Sequence, residues 1–500
     1  MGGKSLRLLL VEPPFYRLFK ESYSLDRYPL SMGYLAGTVK METDWEVKAY
    51  NADFVPDSVP IEVRHRTGPG FQDYLNNLKD QSGAVWQEVR STLAEQKPGV
   101  VGISAKSQNF AAACIVARLA KENNKDTVTI MGGPHPSMVG PEVMKCPDID
   151  IAVRGEGECT IVRLLKAIEA HKDLGDVRGI CYRHNGDILE TPSVELIEDL
   201  DSLCFPHRSA PEVLLDYEKY PPEAFKYIFA LRGCPNKCFF CGSRKVWTRK
   251  VRFRSVENVT EEIKGLQKKG LTSVHFDDDI FGVSKRHITE LCDAIKNHCS
   301  RLRWSCETHV HLVDDETMSI MKDAGCYSIQ LGVESGNDEI LKAMRKGYTS
   351  KQALKACKTI KKHGIQLQAF FMVGFPQETE ETLRDTVLAM RKAKCDAVTY
   401  SIFTPYPGTE AFEYCREHGL IDEDYDVSLY NHQSPANCFC EHIDKQRFRE
   451  LVSRVEKMAD RKNAINRLKR VFSAAGPRKV RELGVLSSIR LAKRSILKKV

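Results

Sequence analysis

No stretch of this chain approaches the ~18 consecutive apolar residues of a membrane-spanning helix, so no transmembrane segment is expected. The opening, Met1-Gly-Gly-Lys-Ser5, runs straight into a strand-like segment without the apolar block and cleavage site of a secretory leader. No repeat of solenoid period is found. Acidic side chains are scarce at the far end: residues 461–500 hold thirteen Lys and Arg against one acid, Glu482. The net charge of +7 therefore belongs to the tail, and the body of the chain is mildly acidic. No aromatic-interleaved recognition module accompanies that basic tail.

What is present is ordinary globular material, 42% hydrophobic and 28% charged over 500 residues, too long for a single core. Two or three domains are expected. Seventeen scattered cysteines do not form a secreted disulfide framework and point to a reducing cytoplasm.

The first ~185 residues alternate strand-like and helix-like segments. Strands are expected at Leu6–Glu12, Glu46–Tyr50, Gly99–Ser104, Thr127–Met131, Asp150–Val153 and Gly179–Tyr182, with helices near 31–41, 84–96, 110–123 and 159–171. This rhythm predicts a flavodoxin-like, doubly wound parallel sheet that binds ligands at its strands' carboxyl ends. Residues 186–226, rich in proline, read as a linker. From 227 six further strands alternate with amphipathic helices, too few for a closed eight-unit barrel. The expected fold is α/β: the first domain (1–185), a six-stranded partial (β/α)6 TIM-type barrel (227–435), and a basic helical extension (436–500).

One passage stands out chemically. Cys234-Pro-Asn-Lys-Cys238-Phe-Phe-Cys241 follows the apolar strand Tyr227–Arg232 in a loop bearing glycine and proline. At this cysteine frequency such a spacing arises by accident about 0.02 times per chain. Three thiolates can hold three corners of a 4Fe–4S cluster and leave the fourth iron open, the mark of a catalytic metal site. A zinc loop or three reduced surface thiols is the alternative.

The spacing and its setting resemble the radical SAM family, over about residues 225–430. The resemblance implies a cluster on Cys234, Cys238 and Cys241. S-adenosylmethionine would chelate the open iron and be cleaved to a 5′-deoxyadenosyl radical, with electrons from a donor such as flavodoxin or ferredoxin. It places Phe240 near the adenine. Asp278 or Asp279, after Phe276, would hold the methionyl ammonium, although the usual Gly-Gly-Glu is absent. Glu334 and Ser335 would meet the ribose and methionyl portions, and Gly374-Phe-Pro376 would flank the adenine. Cys306, His309, Cys438 and Cys440 receive no role; free thiols are the reading for the last pair.

The amino-terminal segment resembles the cobalamin-binding branch of that family, which includes the anaerobic cyclase of bacteriochlorophyll synthesis. The matches are Tyr28–Leu35, Ser104, Gly132-Gly133-Pro-His135-Pro136 and Gly155-Glu156-Gly157-Glu158; Ser104, Gly132, Gly133, Gly155 and Glu156 are the cobalamin candidates. Cobalamin domains usually carry Asp-x-His-x-x-Gly after their first strand. Here Glu12-Pro-Pro-Phe-Tyr16 stands in its place, which implies cobalamin without a histidine lower ligand. The expected activity is cobalamin-dependent methylation of an unactivated carbon, or phosphorus, of a small-molecule substrate. Radical ring closure or rearrangement, and a non-catalytic metal- or nucleic-acid-binding protein, stand as alternatives. Leu486, Ile489, Ala492 and Ile496 recur at helical steps among cations, so the tail could also touch an anionic membrane surface or RNA.

Overall fold

The computed structural model describes residues 6–472; the expected tail helix lies outside them. Contacts divide the chain into two units, Met1–Trp304 with Thr404–Asn437, and Ser305–Phe403 with the chain from Cys438.

In the first unit, strands β1 (Arg7–Glu12), β2 (Glu46–Asn51), β3 (Val100–Ser104), β4 (Val128–Gly132), β5 (Ile151–Val153), β6 (Ile180–His184) and β7 (Asp187–Glu190) form one sheet in the order β2-β1-β3-β4-β5-β6-β7. Its core lies on both faces: Leu8 and Leu10 of β1 pack with one cluster, Leu9 and Val11 with the other. That is why the strand reads as a continuous apolar run. Pairing is parallel through β5, as the βαβ rhythm requires. The last two strands correct the all-parallel expectation, since β5, β6 and β7 pair antiparallel. The reason is local. Asn185 and Gly186 both have positive φ (51° and 92°), and an Asn-Gly pair in that conformation closes a two-residue hairpin.

The expected strand 227–232 is interrupted. β8 (Tyr227–Ile228) pairs in parallel with β11 (Ser273–Phe276), whereas β9 (Leu231–Arg232) turns away to pair antiparallel with β10 (Arg252–Phe253). The break is held by Asp278, whose Oδ1 accepts from the Ala230 and Leu231 N–H groups at 2.9 and 2.8 Å.

The second unit contains β13 (Cys326–Glu334), β14 (Gln366–Val373) and β15 (Ala397–Ile402), paired in parallel, with β12 (Arg303–Thr308) preceding them. With β8 and β11 these make the six strands of the barrel sheet, in the order β15-β14-β13-β12-β11-β8. The edge strand β15 is covered by the helix Lys445–Phe472. Asn463 pairs with Val398 as a neighbouring strand would, accepting from its N–H and donating to its carbonyl, both at 2.8 Å. Lys462 donates to the carbonyls of Met390, Arg391 and Ala393, capping the helix Glu380–Lys392. An open edge and a bare helix end are thereby both satisfied.

Candidate active site

The thiol loop begins where β9 ends. Gly233 has φ +100°, and a Cβ there would overlap the Lys250 carbonyl oxygen, so the turn into Cys234 needs glycine. Cys234, Cys238 and Cys241 are half-buried and in no disulfide, with the Cys241 N–H donating to the Cys238 carbonyl at 3.3 Å. Burial pushes the Cys241 thiol up to about 11, and the negative charges of Asp279 and the other two thiols add to the shift. Among the described residues no three His, Cys, Asp or Glu side chains converge closely enough for a single metal ion. A cubane needs something different, three sulfurs on three separate irons. The donor set fits that group.

The two adjacent aspartates separate. Asp278 is 2% exposed and committed to the backbone of residues 230 and 231. Its Oδ2 is buried without a partner, and burial pushes its carboxyl up to about 8. Asp279 is exposed, accepts from Ser243 Oγ at 2.5 Å and lies within electrostatic reach of Cys241. Of the pair, only Asp279 is exposed. Phe240 is half-exposed in the loop itself.

The expected cobalamin loops lie in the same unit. Gly133 has φ +106°, and a Cβ would stand 2.8 Å from the Ala105 carbonyl oxygen, whereas one on Gly132 would meet nothing nearer than 3.8 Å. The Ala105 N–H donates to the Gly132 carbonyl and the His135 N–H to the Ala105 carbonyl, so the loops after β3 and β4 form one surface beside Ser104. After β1, Pro13 and Pro14 offer neither an N–H nor an imidazole, and Glu12 is taken by Lys106, which donates to it at 2.7 Å. The Lys106 side chain is 49% exposed, and the Glu12 charge raises its pKa. The small-residue cradle at Gly132 and Gly133 fits the close approach of a bulky planar cofactor such as cobalamin. His135 is no substitute for the missing ligand. It is buried with its Nδ1 3.0 Å from Ser107 Oγ, and burial lowers its pKa to about 4.

Glu156 corrects an expectation. It is 2% exposed, and both carboxylate oxygens are occupied. Arg232 donates to Oε1 at 2.9 Å, and Arg252 and the Ile197 N–H donate to Oε2 at 2.8 and 2.7 Å. Arg232 also donates to Glu158 at 2.5 Å. The Gly155-Glu156-Gly157 loop therefore anchors the strand that feeds the thiol loop, two residues before Cys234, rather than offering a carboxylate to a ligand. Gly155, φ +79°, is fixed by its N–H donating to Ser137 Oγ at 2.9 Å. Sequence reading missed Arg232 and Arg252 because partners 76 and 96 residues away leave no local pattern. A second contact joins the two regions: Cβ atoms on Gly242 and Gly408 would overlap Met138, in the helix Pro134–Val139 that follows Gly132-Gly133.

In the second unit Glu334 ends β13 with φ +62° and accepts from the buried Lys346 at 3.0 Å. Ser335 is fully buried, its Oγ paired with Thr386 Oγ1 at 2.9 Å and accepting from the Asn337 N–H, which leaves it a structural part of the turn. Gly374 has φ +82° with the Phe448 ring over it, where a Cβ would stand 2.5 Å away, and Pro376 is buried. These residues shape the turn; neither Ser335 nor Pro376 offers an exposed side chain. His309, buried beyond β12, has an unpartnered Nε2, and burial and the Lys346 cation depress its pKa to about 3.

Comparison with known proteins agrees with this geometry. The Radical SAM superfamily pattern matches residues 228–408 and the B12 binding domain pattern residues 17–165. An uncharacterized methyltransferase of Pyrococcus horikoshii is 30% identical over 422 residues, 84% of this chain and 85% of that one. The anaerobic magnesium-protoporphyrin IX monomethyl ester cyclase of Rubrivivax gelatinosus is 31% identical over 361 residues, 70% of this chain and 63% of that one. The fold matches the radical S-adenosylmethionine methyltransferase TsrM of Kitasatospora setae, solved with cobalamin and a [4Fe-4S] cluster, at TM-score 0.66 and 19% identity, covering 83% of this chain and 78% of that one. This chain belongs to the radical SAM superfamily, in the group that carries an amino-terminal B12-binding domain. It is a radical SAM enzyme, and its cofactors are a 4Fe–4S cluster, S-adenosylmethionine and cobalamin.

Proposed function

We propose that this enzyme transfers a methyl group to an unactivated carbon, or phosphorus, of a small molecule. The observation that carries the reading is the packing of Met138, next to the cobalamin-type loop, against Gly242 and Gly408 beside the thiol loop. A methyl carrier and a radical source must act on one substrate, and this packing puts their loops side by side. When bound, the cluster and S-adenosylmethionine supply an adenosyl radical and the corrinoid supplies the methyl.

The chain's own residues hold and orient. Cys234, Cys238 and Cys241 are assigned to the cluster, Asp279 to the methionyl ammonium, and Phe240 to the adenine. Ser104, Gly132, Gly133 and Gly155 shape the corrin surface. Lys106 ties down Glu12, and Pro14 stands where the histidine of the usual Asp-x-His motif would be. Residues 1–185 form the cobalamin part in this reading, 186–226 the connector, 227–435 the barrel and 436–500 the extension. Seventeen cysteines, none of them in a disulfide, fit a cytoplasmic setting, and flavodoxin or ferredoxin fits as the electron donor. The sequence beyond residue 472 is rich in Lys and Arg, a composition that suits an anionic membrane surface or RNA.

The cyclase relative favours a second reading, radical ring closure without net methyl gain. Anaerobic turnover with methyl-labelled S-adenosylmethionine separates them: methyl transfer predicts label in the product, and a product two hydrogens lighter without label means cyclisation.

A further inference from the structure

We propose that Arg66, with Tyr16, Tyr406 and His432, forms a subsite for an anionic group, a carboxylate or phosphate, carried by a ligand at the carboxyl edge of the seven-stranded sheet. The argument starts from charge. Four other desolvated arginines of this unit each have a carboxylate: Arg17 has Glu88 at 2.8 Å, Arg232 has Glu156 and Glu158, Arg252 has Glu156, and Arg254 has Glu262. Arg66 has none among the described residues. Its Nη2 donates to the neutral amide oxygen of Gln433, and its Nε is buried without a partner. The Tyr16 ring lies 5.4 Å from the guanidinium carbon. Burial lowers the Arg66 pKa, and no acid opposes it.

The neighbours are chosen alike. Tyr406 OH and His432 Nδ1 are 3.2 Å apart, and His432 is held neutral by desolvation and by the Arg66 charge. Tyr16 is kept as a phenol by burial. Two hydroxyls, an imidazole and a guanidinium fork thus come together, and Asp53, the acid within electrostatic reach of Tyr16, is committed to the Phe15 and Arg17 N–H groups. A half-buried cation without a counter-ion is unfavourable unless an anion is brought to it. The guanidinium fork matches carboxylate and phosphate oxygens two at a time. Tyr16 lies four residues beyond β1, at the edge where doubly wound sheets take ligands.

Two sources share this chemistry, an acidic substrate and the phosphodiester in cobalamin's nucleotide tail. The test uses the full-length protein, prepared anaerobically with its cluster, and titrates inorganic phosphate by calorimetry into wild type, Arg66→Gln and Arg66→Lys. Each is titrated with and without saturating hydroxocobalamin. We expect phosphate affinity to fall at least tenfold in Arg66→Gln and to recover partly in Arg66→Lys. Phosphate binding that persists with cobalamin bound assigns the subsite to the substrate. Displacement of phosphate by cobalamin, with weaker cobalamin binding by Arg66→Gln, assigns it to the cofactor tail. Equal phosphate and cobalamin affinities in wild type and Arg66→Gln, or no phosphate binding by wild type with cobalamin affinity unchanged, overturn the proposal. Deoxyadenosine formation, measured alongside, reports separately on the radical reading.

Discussion

Asp278 and Asp279 are neighbours in the chain with opposite fates. Asp278 turns inward and organises the break in the first barrel strand, while Asp279 stays at the mouth of the thiol loop. Burial raises the Asp278 pKa to about 8, so the folded state favours its protonated form. The unfolded chain releases that proton near its ordinary value of 3.8, so this residue's contribution to stability is present in acid and declines as pH rises from about 4 to 8. Asp278→Asn keeps the acceptor for both N–H groups and has no proton to lose. Its urea midpoint is expected to match wild type at or below pH 4 and exceed it at pH 9. Asp278→Ala leaves two buried N–H groups unpaired and should cost about 1–3 kcal/mol for each at any pH. Asp279→Ala should retain full iron content and bind S-adenosylmethionine at least tenfold more weakly in equilibrium dialysis. Both acids were visible in the sequence as candidates. Which one faces inward was not, because the choice is made by backbone groups 47 and 48 residues earlier.

Among elements, β9 deserves the closest reading, since it carries the thiol loop and is held from the side by Glu156 and Glu158. Breaking a buried pair by removing one partner strands a charge, so Arg232→Met should cost about 3–5 kcal/mol in denaturant unfolding. It should also lower iron retention after desalting, because Cys234 lies two residues on. The sheet rhythm was legible from hydrophobic runs, and the helices at 84–96 and 110–123 fall at the expected positions. The β6–β7 hairpin was written in Asn185-Gly186 but overshadowed by the βαβ pattern around it. The strand break at 229–230 had no local signal, because the bend at Ala230 is set by Asp278, 48 residues later in the chain. At the far edge, Asn463 takes the place of a seventh strand. Asn463→Ala should leave Val398 unpaired and make β15 the first site of cleavage in limited proteolysis, whereas cleavage unchanged from wild type would mean that the helix covers the edge without that pair.

At the scale of the whole molecule, two cofactor regions share one unit, and the barrel's later strands with the covering helix make the other. Among the described residues no helix is long and apolar enough to cross a membrane. The account as a whole stands on the thiol loop. The most direct test is iron and labile sulfide content, with deoxyadenosine formation, in anaerobically reconstituted wild type and Cys238→Ala. Four irons and four sulfides per chain with deoxyadenosine formed by wild type, and loss of both in the variant, are the predicted results. Undiminished deoxyadenosine formation by Cys238→Ala, or a wild type that takes up zinc and no iron, would contradict the account.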